Sequence, residues 1–172
     1  MTARVLLAAL DPARNVSRIP AMLRAGGCRA VALAPADTSL AHSRLIDRFI
    51  PVERDERTIV AALRDEVASG RYDFTIVADE ALLLALATRL QPWMDAILPF
   101  PADAETCALV LDKNRMLDAI AARGVRVPPF RIVPRGGDLA AAADGVGYPL
   151  VIKDAVGCGG AGVRRVDAPA EL

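Results

Sequence analysis

An open, doubly wound parallel α/β sheet is the fold that residues 1–100 predict, and three observations carry that expectation. Val5 to Leu10 is an unbroken apolar run, the pattern of a strand covered on both faces rather than one. Arg29 to Ala34 and Phe74 to Ala78 repeat the pattern further along. Between these runs the apolar residues fall at helical spacing, and strand–helix alternation is the rhythm that builds a parallel sheet with helices on its faces.

Taken in order, the run from Val5 is the first strand, broken by Asp11, Pro12 and Asn15, which can cap a helix running to Gly26 and Gly27. Arg29 to Ala34 is the second strand and Arg48 to Val52 a short third. Ile59, Leu63 and Val67 recur every fourth residue on a helix that Ser69 and Gly70 end. Phe74 to Ala78 is the fourth strand, and Asp79 stands where it can cap an apolar helix from Glu80 to Leu90. Sheets of this kind bind ligands beyond the carboxyl ends of their strands.

From Pro99 and Pro101 the character changes, so the chain is expected to hold one domain over residues 1–100 and part of another over 101–172. Asp112 can cap a helix carrying Met116, Leu117 and Ile120, closed by Gly124. Val127 to Val133 is extended, partly because Pro128 and Pro129 restrict it. Gly136 and Gly137 turn into a short Ala-rich helix ending near Gly145. Tyr148 to Lys153 then reads as a strand, followed by a glycine loop, a strand from Val163 to Val166, and a helix start at Asp167. A chain that stops one turn into a helix is expected to be a fragment.

Composition narrows the function. With 21 basic and 21 acidic residues the formal charge is zero, which gives no footprint for nucleic acid or an anionic membrane. The three cysteines, Cys28, Cys107 and Cys158, form no CxxC pair, and one histidine, His42, cannot complete a Cys/His zinc site. Neither Val5 to Leu10 nor Ala81 to Ala87 is long enough for a signal peptide or a membrane span. A soluble protein of the reducing cytoplasm, with small-molecule partners, is the expectation. His42 reads as a surface residue, and Cys28 and Cys107 as packing residues.

The chemistry is concentrated in GYPLVIKDAVGCGGAGVRRV, residues 147–166. Lys153 ends an apolar strand, where a lysine must either snorkel or meet an anion. A loop with Gly157, Gly159, Gly160 and Gly162 follows, and such a loop can turn successive amides toward phosphate oxygens. A neighbouring lysine adds a point charge for the same phosphates. The plainer alternative is a flexible turn beside a surface lysine.

Gly157, Gly159 and Gly162 also fit the GxGxxG dinucleotide fingerprint, which requires a helix immediately after the glycines. Val163, Arg164, Arg165 and Val166, followed closely by Pro169, favour a strand instead. No GK[ST] closes the loop, so it is not a Walker A sequence. The expected unit is a strand–glycine loop–strand hairpin.

The stretch LDKNRMLDAIAARGVRVPPFRIV, continued by GYPLVIKDAVGCGGAGVRRVDAPAEL, resembles the opening of an ATP-grasp domain. The α/β region before it is similar to the preATP-grasp domain, a Rossmann-like open parallel sheet that precedes ATP-grasp in that superfamily. The branch most similar includes biotin carboxylase, the carbamoyl-phosphate synthetase large chain and amino-acid ligases. The resemblance implies that Lys113 and Lys153 contact nucleotide phosphates, with Gly157, Cys158, Gly159, Gly160 and Gly162 folding over them as a mobile lid. Lys113 is equally readable as an exposed first-turn residue behind Asp112. The sequence departs from the family pattern at Cys158, where Ser is common, at Asp154, where Pro is frequent, and at Ala161, where a basic residue is usual.

The resemblance further implies ATP and Mg2+ as cofactors, a carboxylate substrate activated as an acylphosphate, and attack by an amine or another nucleophile. Asp79 and Glu80 would lie on the acceptor-substrate side, although helix capping accounts for Asp79 equally well. Adenine hinge, magnesium carboxylates and a transition-state arginine are expected after Leu172, so neither a catalytic residue nor a metal ligand is assigned here and the 172 residues alone are expected to be inactive. A non-catalytic dinucleotide or small-ligand module is the alternative, and homodimerisation through the N-terminal domain, with Ala81 to Ala87 contributing, is a third expectation.

Overall fold

The computed structural model describes residues 2–12, 14–157, 160 and 162–172. They form two compact units, Met1–Cys107 and Ala108–Leu172.

The first unit is built on four parallel strands, β1 (Arg4–Ala8), β2 (Arg29–Ala34), β3 (Arg48–Pro51) and β4 (Phe74–Val77). Their spatial order is β3-β2-β1-β4, so the chain builds outward from β1 and then returns to its other side. That reversal between β1 and β4 is the switch point of a doubly wound sheet. The apolar run of β1 is explained by its two faces. Leu6, Ala8 and Leu10 enter one core with Val31, Leu33, Ile59, Leu63, Leu82 and Leu86. Leu7 and Ala9 enter another with Ala32, Ala34, Val16 and Leu40. Successive side chains point to opposite faces, so a strand covered on both sides has no polar alternate.

The helices of this unit are α1 (Ile19–Ala25), α2 (Glu56–Ala68) and α3 (Glu80–Ala87). The single helix expected before Gly26 is instead a 3-10 turn, Arg14–Arg18, followed by α1. Pro20 lacks the N–H that would continue a helix from the preceding turn, so it stands in the first turn of a new one. Helix α3 stops at Ala87 rather than Leu90, because the Thr88 hydroxyl and the Arg89 guanidinium both donate to the Ala85 carbonyl, each at 3.0 Å. Ala81 to Ala87 contributes Leu82, Ala85 and Leu86 to the core. His42 is exposed and Cys107 is buried, where burial pushes its thiol pKa up.

Beyond the sheet come α4 (Ala104–Leu111), α5 (Lys113–Ala122) and α6 (Leu139–Val146). Helices α2 to α6 each start on an aspartate: Asp55, Asp79, Asp103, Asp112 and Asp138 accept from first-turn N–H groups. The stretch expected to be extended, Val127 to Val133, has no regular ladder. Strands β5 (Leu150–Lys153) and β6 (Val163–Val166) form an antiparallel hairpin. Among the described residues of this second unit, the buried apolar side chains are Leu111, Ala143 and Val166, while Val125, Ile132, Val151 and Val163 are exposed. No helix among the described residues is long and apolar enough to cross a membrane.

Candidate functional site

The glycine loop leaves β5 at Lys153 and returns directly into β6, so a strand follows Gly162 where a dinucleotide fingerprint would need a helix. Register pairs Leu150 with Val166 and Lys153 with Val163. One more rung closes the base: the Asp154 amide donates to the Gly162 carbonyl at 3.0 Å. Gly157, Gly160 and Gly162 have positive φ, at 145°, 84° and 69°. Gly162 is held to glycine twice over. Its φ disfavours any side chain, and a Cβ there would stand 1.9 Å from Asp154 Oδ2. Cys158 and Gly159, assigned to the same loop from the sequence, lie outside the described residues, as does Ala161.

Alternation along the hairpin sorts its side chains. Val151, Lys153, Val163 and Arg165 share one face, and Leu150, Ile152, Arg164 and Val166 share the other. The first face is open: Val151 is 52% and Val163 45% exposed, and Lys153 is exposed without an ion pair among the described residues. Arg165 pairs with Asp167 at 2.7 Å. This face therefore offers apolar surface and an uncommitted ammonium side by side, which suits a ligand that is flat and apolar at one end and anionic at the other.

Lys113 reaches the same loop from α5. The Asp112 carboxylate accepts from the Asn114 amide at 2.8 Å and the Arg115 amide at 3.4 Å, which makes Lys113 the first helical residue. The Lys113 amide donates to the Ala155 carbonyl at 2.9 Å, and its ammonium donates to the Gly157 carbonyl at 2.6 Å. Main chain and side chain of one residue thus fasten the limb that leaves β5. Half-buried Lys113 is not the free first-turn residue that the helix position alone would suggest.

In the first unit the carboxyl ends of the strands carry Asp79 and Glu80. Asp79 Oδ1 accepts from the Leu82 amide at 2.8 Å, and Oδ2 accepts from the Leu10 and Asp11 amides at 2.6 and 3.0 Å. It caps α3 and stitches the end of β1 to β4. Glu80 is the first residue of α3 and half-buried. Arg54, which the sequence reading did not single out, donates to the Leu10 carbonyl and, at 2.7 Å, to Asp37. That side-chain hydrogen bond from Arg54 holds the Asp37 carboxyl below its ordinary pKa. Among the described residues, no three of His, Cys, Asp or Glu come together to hold a metal ion.

A parallel α/β sheet followed by a helix and a lysine-tipped glycine hairpin is the fold of ATP-grasp proteins, and sequence comparison reaches the same class. Residues 112–172 match the family described as carbamoyl-phosphate synthase L chain, ATP binding domain, and over that span the chain is similar to ATP-grasp proteins. A D-alanine--D-alanine ligase of Geobacter sulfurreducens is 38% identical over 65 residues, a match covering 38% of this chain and 21% of the ligase. Among solved structures, an L-amino acid ligase from Bacillus licheniformis aligns with TM-score 0.64 and 18% identity, covering 99% of this chain and 40% of that one. The biotin carboxylase domain dimer of Hydrogenobacter thermophilus 2-oxoglutarate carboxylase, in complex with MgADP, ADP and bicarbonate, aligns with TM-score 0.60 and 19% identity, covering 99% and 39%. The chain therefore spans well under half the length of each of these proteins.

Proposed function

We propose that this chain is the N-terminal part of an ATP-dependent ligase that joins a carboxylate to an amine or another nucleophile through an acylphosphate. The supporting observation is the hairpin: a strand tipped by an exposed Lys153, a glycine bend fastened by Lys113, and a returning strand, all within the residues that match an ATP binding domain. Bound ATP would supply the transferable γ-phosphoryl group. Lys113, Lys153 and the amides of Gly157, Cys158, Gly159, Gly160 and Gly162 would hold its phosphates, neutralise their charge and exclude water. The hairpin fits that role, since a Cβ built on Gly160 would meet nothing within 4 Å and so leaves the backbone open to close approach. The described residues do not offer a cluster of three metal-ligating side chains for Mg2+.

Asp79 and Glu80 stand at the carboxyl ends of parallel strands, where such sheets receive ligands, and are proposed to border the acceptor substrate. Asp79 would do so while its carboxylate is held by three amides. The thin core of the second unit and the partial span of the relatives support the reading that these 172 residues alone do not complete a ligase. Pairing of two copies through the first unit is proposed from the neighbour that is a domain dimer, and light scattering tests it.

Amide chemical-shift mapping with ATP tests the nucleotide role. Saturable shifts are expected at Asp154, Gly157, Gly160 and Val163, together with no ADP or phosphate release by the isolated chain. Shifts confined to the first unit would overturn the assignment.

A further inference from the structure

Three of the four strands begin at or beside an arginine. Arg4 opens β1, Arg29 opens β2 and Arg48 opens β3. Parallel register sets Arg4 opposite Arg29 and Val31 opposite Arg48. Because side chains alternate, Arg4, Arg29, Val31 and Arg48 all lie on one face of the sheet, at its amino end. Adjacent strands are only about 4.8 Å apart, so Arg4 and Arg29 are neighbouring like charges, an arrangement that costs free energy.

The local carboxylates do not balance this. Asp47 is shared between Arg24 at 3.5 Å and Arg29 at 3.6 Å, and one of its oxygens also accepts from the Ala30 amide at 2.9 Å. Asp73 accepts from the backbone amide of Arg4 at 2.7 Å rather than from its guanidinium. The Arg4 guanidinium lies over the Tyr72 ring, 5.9 Å from its centroid, a contact that orients it but supplies no anion. Arg4 and Arg48 make no ion pair among the described residues. Together Arg4, Arg29, Val31, Asp47 and Arg48 line a cleft of about 380 Å³.

We propose that this cleft is a binding site for a small, multiply charged oxyanion of the phosphate class. The planar, forked guanidinium can donate two parallel N–H bonds to a pair of phosphate oxygens, and a bound dianion would relieve the repulsion between Arg4 and Arg29. The site lies at the opposite end of the strands from the carboxyl ends, where the switch point of the sheet is, so its occupant is not the substrate of the proposed reaction.

The test is a titration of the full 172-residue chain with sodium pyrophosphate, following the arginine Nε–H resonances by NMR, against sodium chloride at matched ionic strength. Saturable shifts at Arg4, Arg29 and Arg48 that chloride does not reproduce are expected, and they persist in Lys153→Ala, which separates this site from the hairpin. Arg48→Gln should weaken the affinity roughly tenfold, with Arg48→Lys intermediate because it keeps the charge but loses the fork. Shifts that chloride reproduces, or an affinity unchanged in Arg48→Gln, would overturn the proposal. The wild-type titration decides without any variant, so a misfolded substitution leaves the test intact.

Discussion

The Lys113 ammonium donates to the Gly157 carbonyl at 2.6 Å, tying the first turn of α5 to the loop that leaves β5. The same residue's amide holds Ala155 two positions earlier. This double attachment fastens the β5 side of the loop, and on the proposed function it would hold that limb while the loop receives phosphates.

Lys113→Ala should therefore act in two ways. It frees the Gly157 carbonyl and, on the proposed function, would remove a phosphate contact, so amide exchange should quicken at Lys153 to Gly157 and ATP affinity should fall roughly tenfold. Lys153→Ala should lower affinity by a similar factor while leaving exchange in that limb unchanged, since Lys153 is exposed and has no ion pair among the described residues. Hydrogen exchange followed by NMR separates the two effects.

Gly162→Ala should distort the hairpin, because the new Cβ meets the Asp154 carboxylate and the residue must hold a φ of 69°. The φ alone costs about 1–3 kcal/mol for a residue other than glycine. Adding Asp154→Ala should restore part of the β5–β6 ladder by removing the clash but not the strain. Cross-strand amide contacts in NMR spectra report the outcome, and the first unit's spectrum should not change.

Asp79→Ala should destabilise the first unit by roughly 2–3 kcal/mol, since it removes a helix cap and leaves two further amides without their acceptor. Urea unfolding measures this. Nucleotide shifts on the hairpin should survive the substitution.

Acid should weaken the fold through its capping carboxylates. The Thr58 amide bonded to Asp55, and the Thr106 amide bonded to Asp103, hold both carboxyls below the ordinary value of 3.8. A carboxyl with a lower pKa folded than unfolded contributes stability above the unfolded value and loses it as pH falls through the folded one. The stability gap between wild type and an Asp55→Asn, Asp103→Asn double variant should be constant near neutrality and narrow below pH 3.8. Urea midpoints across that range provide the check.

Much of the sheet was legible because a strand buried on both faces must be apolar throughout, as Val5 to Leu10 and Ala30 to Ala34 are. The hairpin was legible because Val163 to Val166 is a short segment bounded by β-branched valines and followed closely by Pro169, which disfavours a helix. Helix α4 was missed: its cap Asp103 sits just after Pro99 and Pro101, and the Asp103–Thr106 spacing was the signal that could have found it. Arg54 and the Lys113–Gly157 tie depend on residues 44 apart in sequence meeting in space, which no local pattern encodes. The split of the first helix at Pro20 was readable in principle, since proline fits only a first turn.

Calorimetric titration of the chain with ATP and, separately, NAD tests the central claim most directly. The account predicts weak ATP binding that drops in both Lys113→Ala and Lys153→Ala, with no heat from NAD. Preferential NAD binding, or ATP binding indifferent to both substitutions, would contradict it.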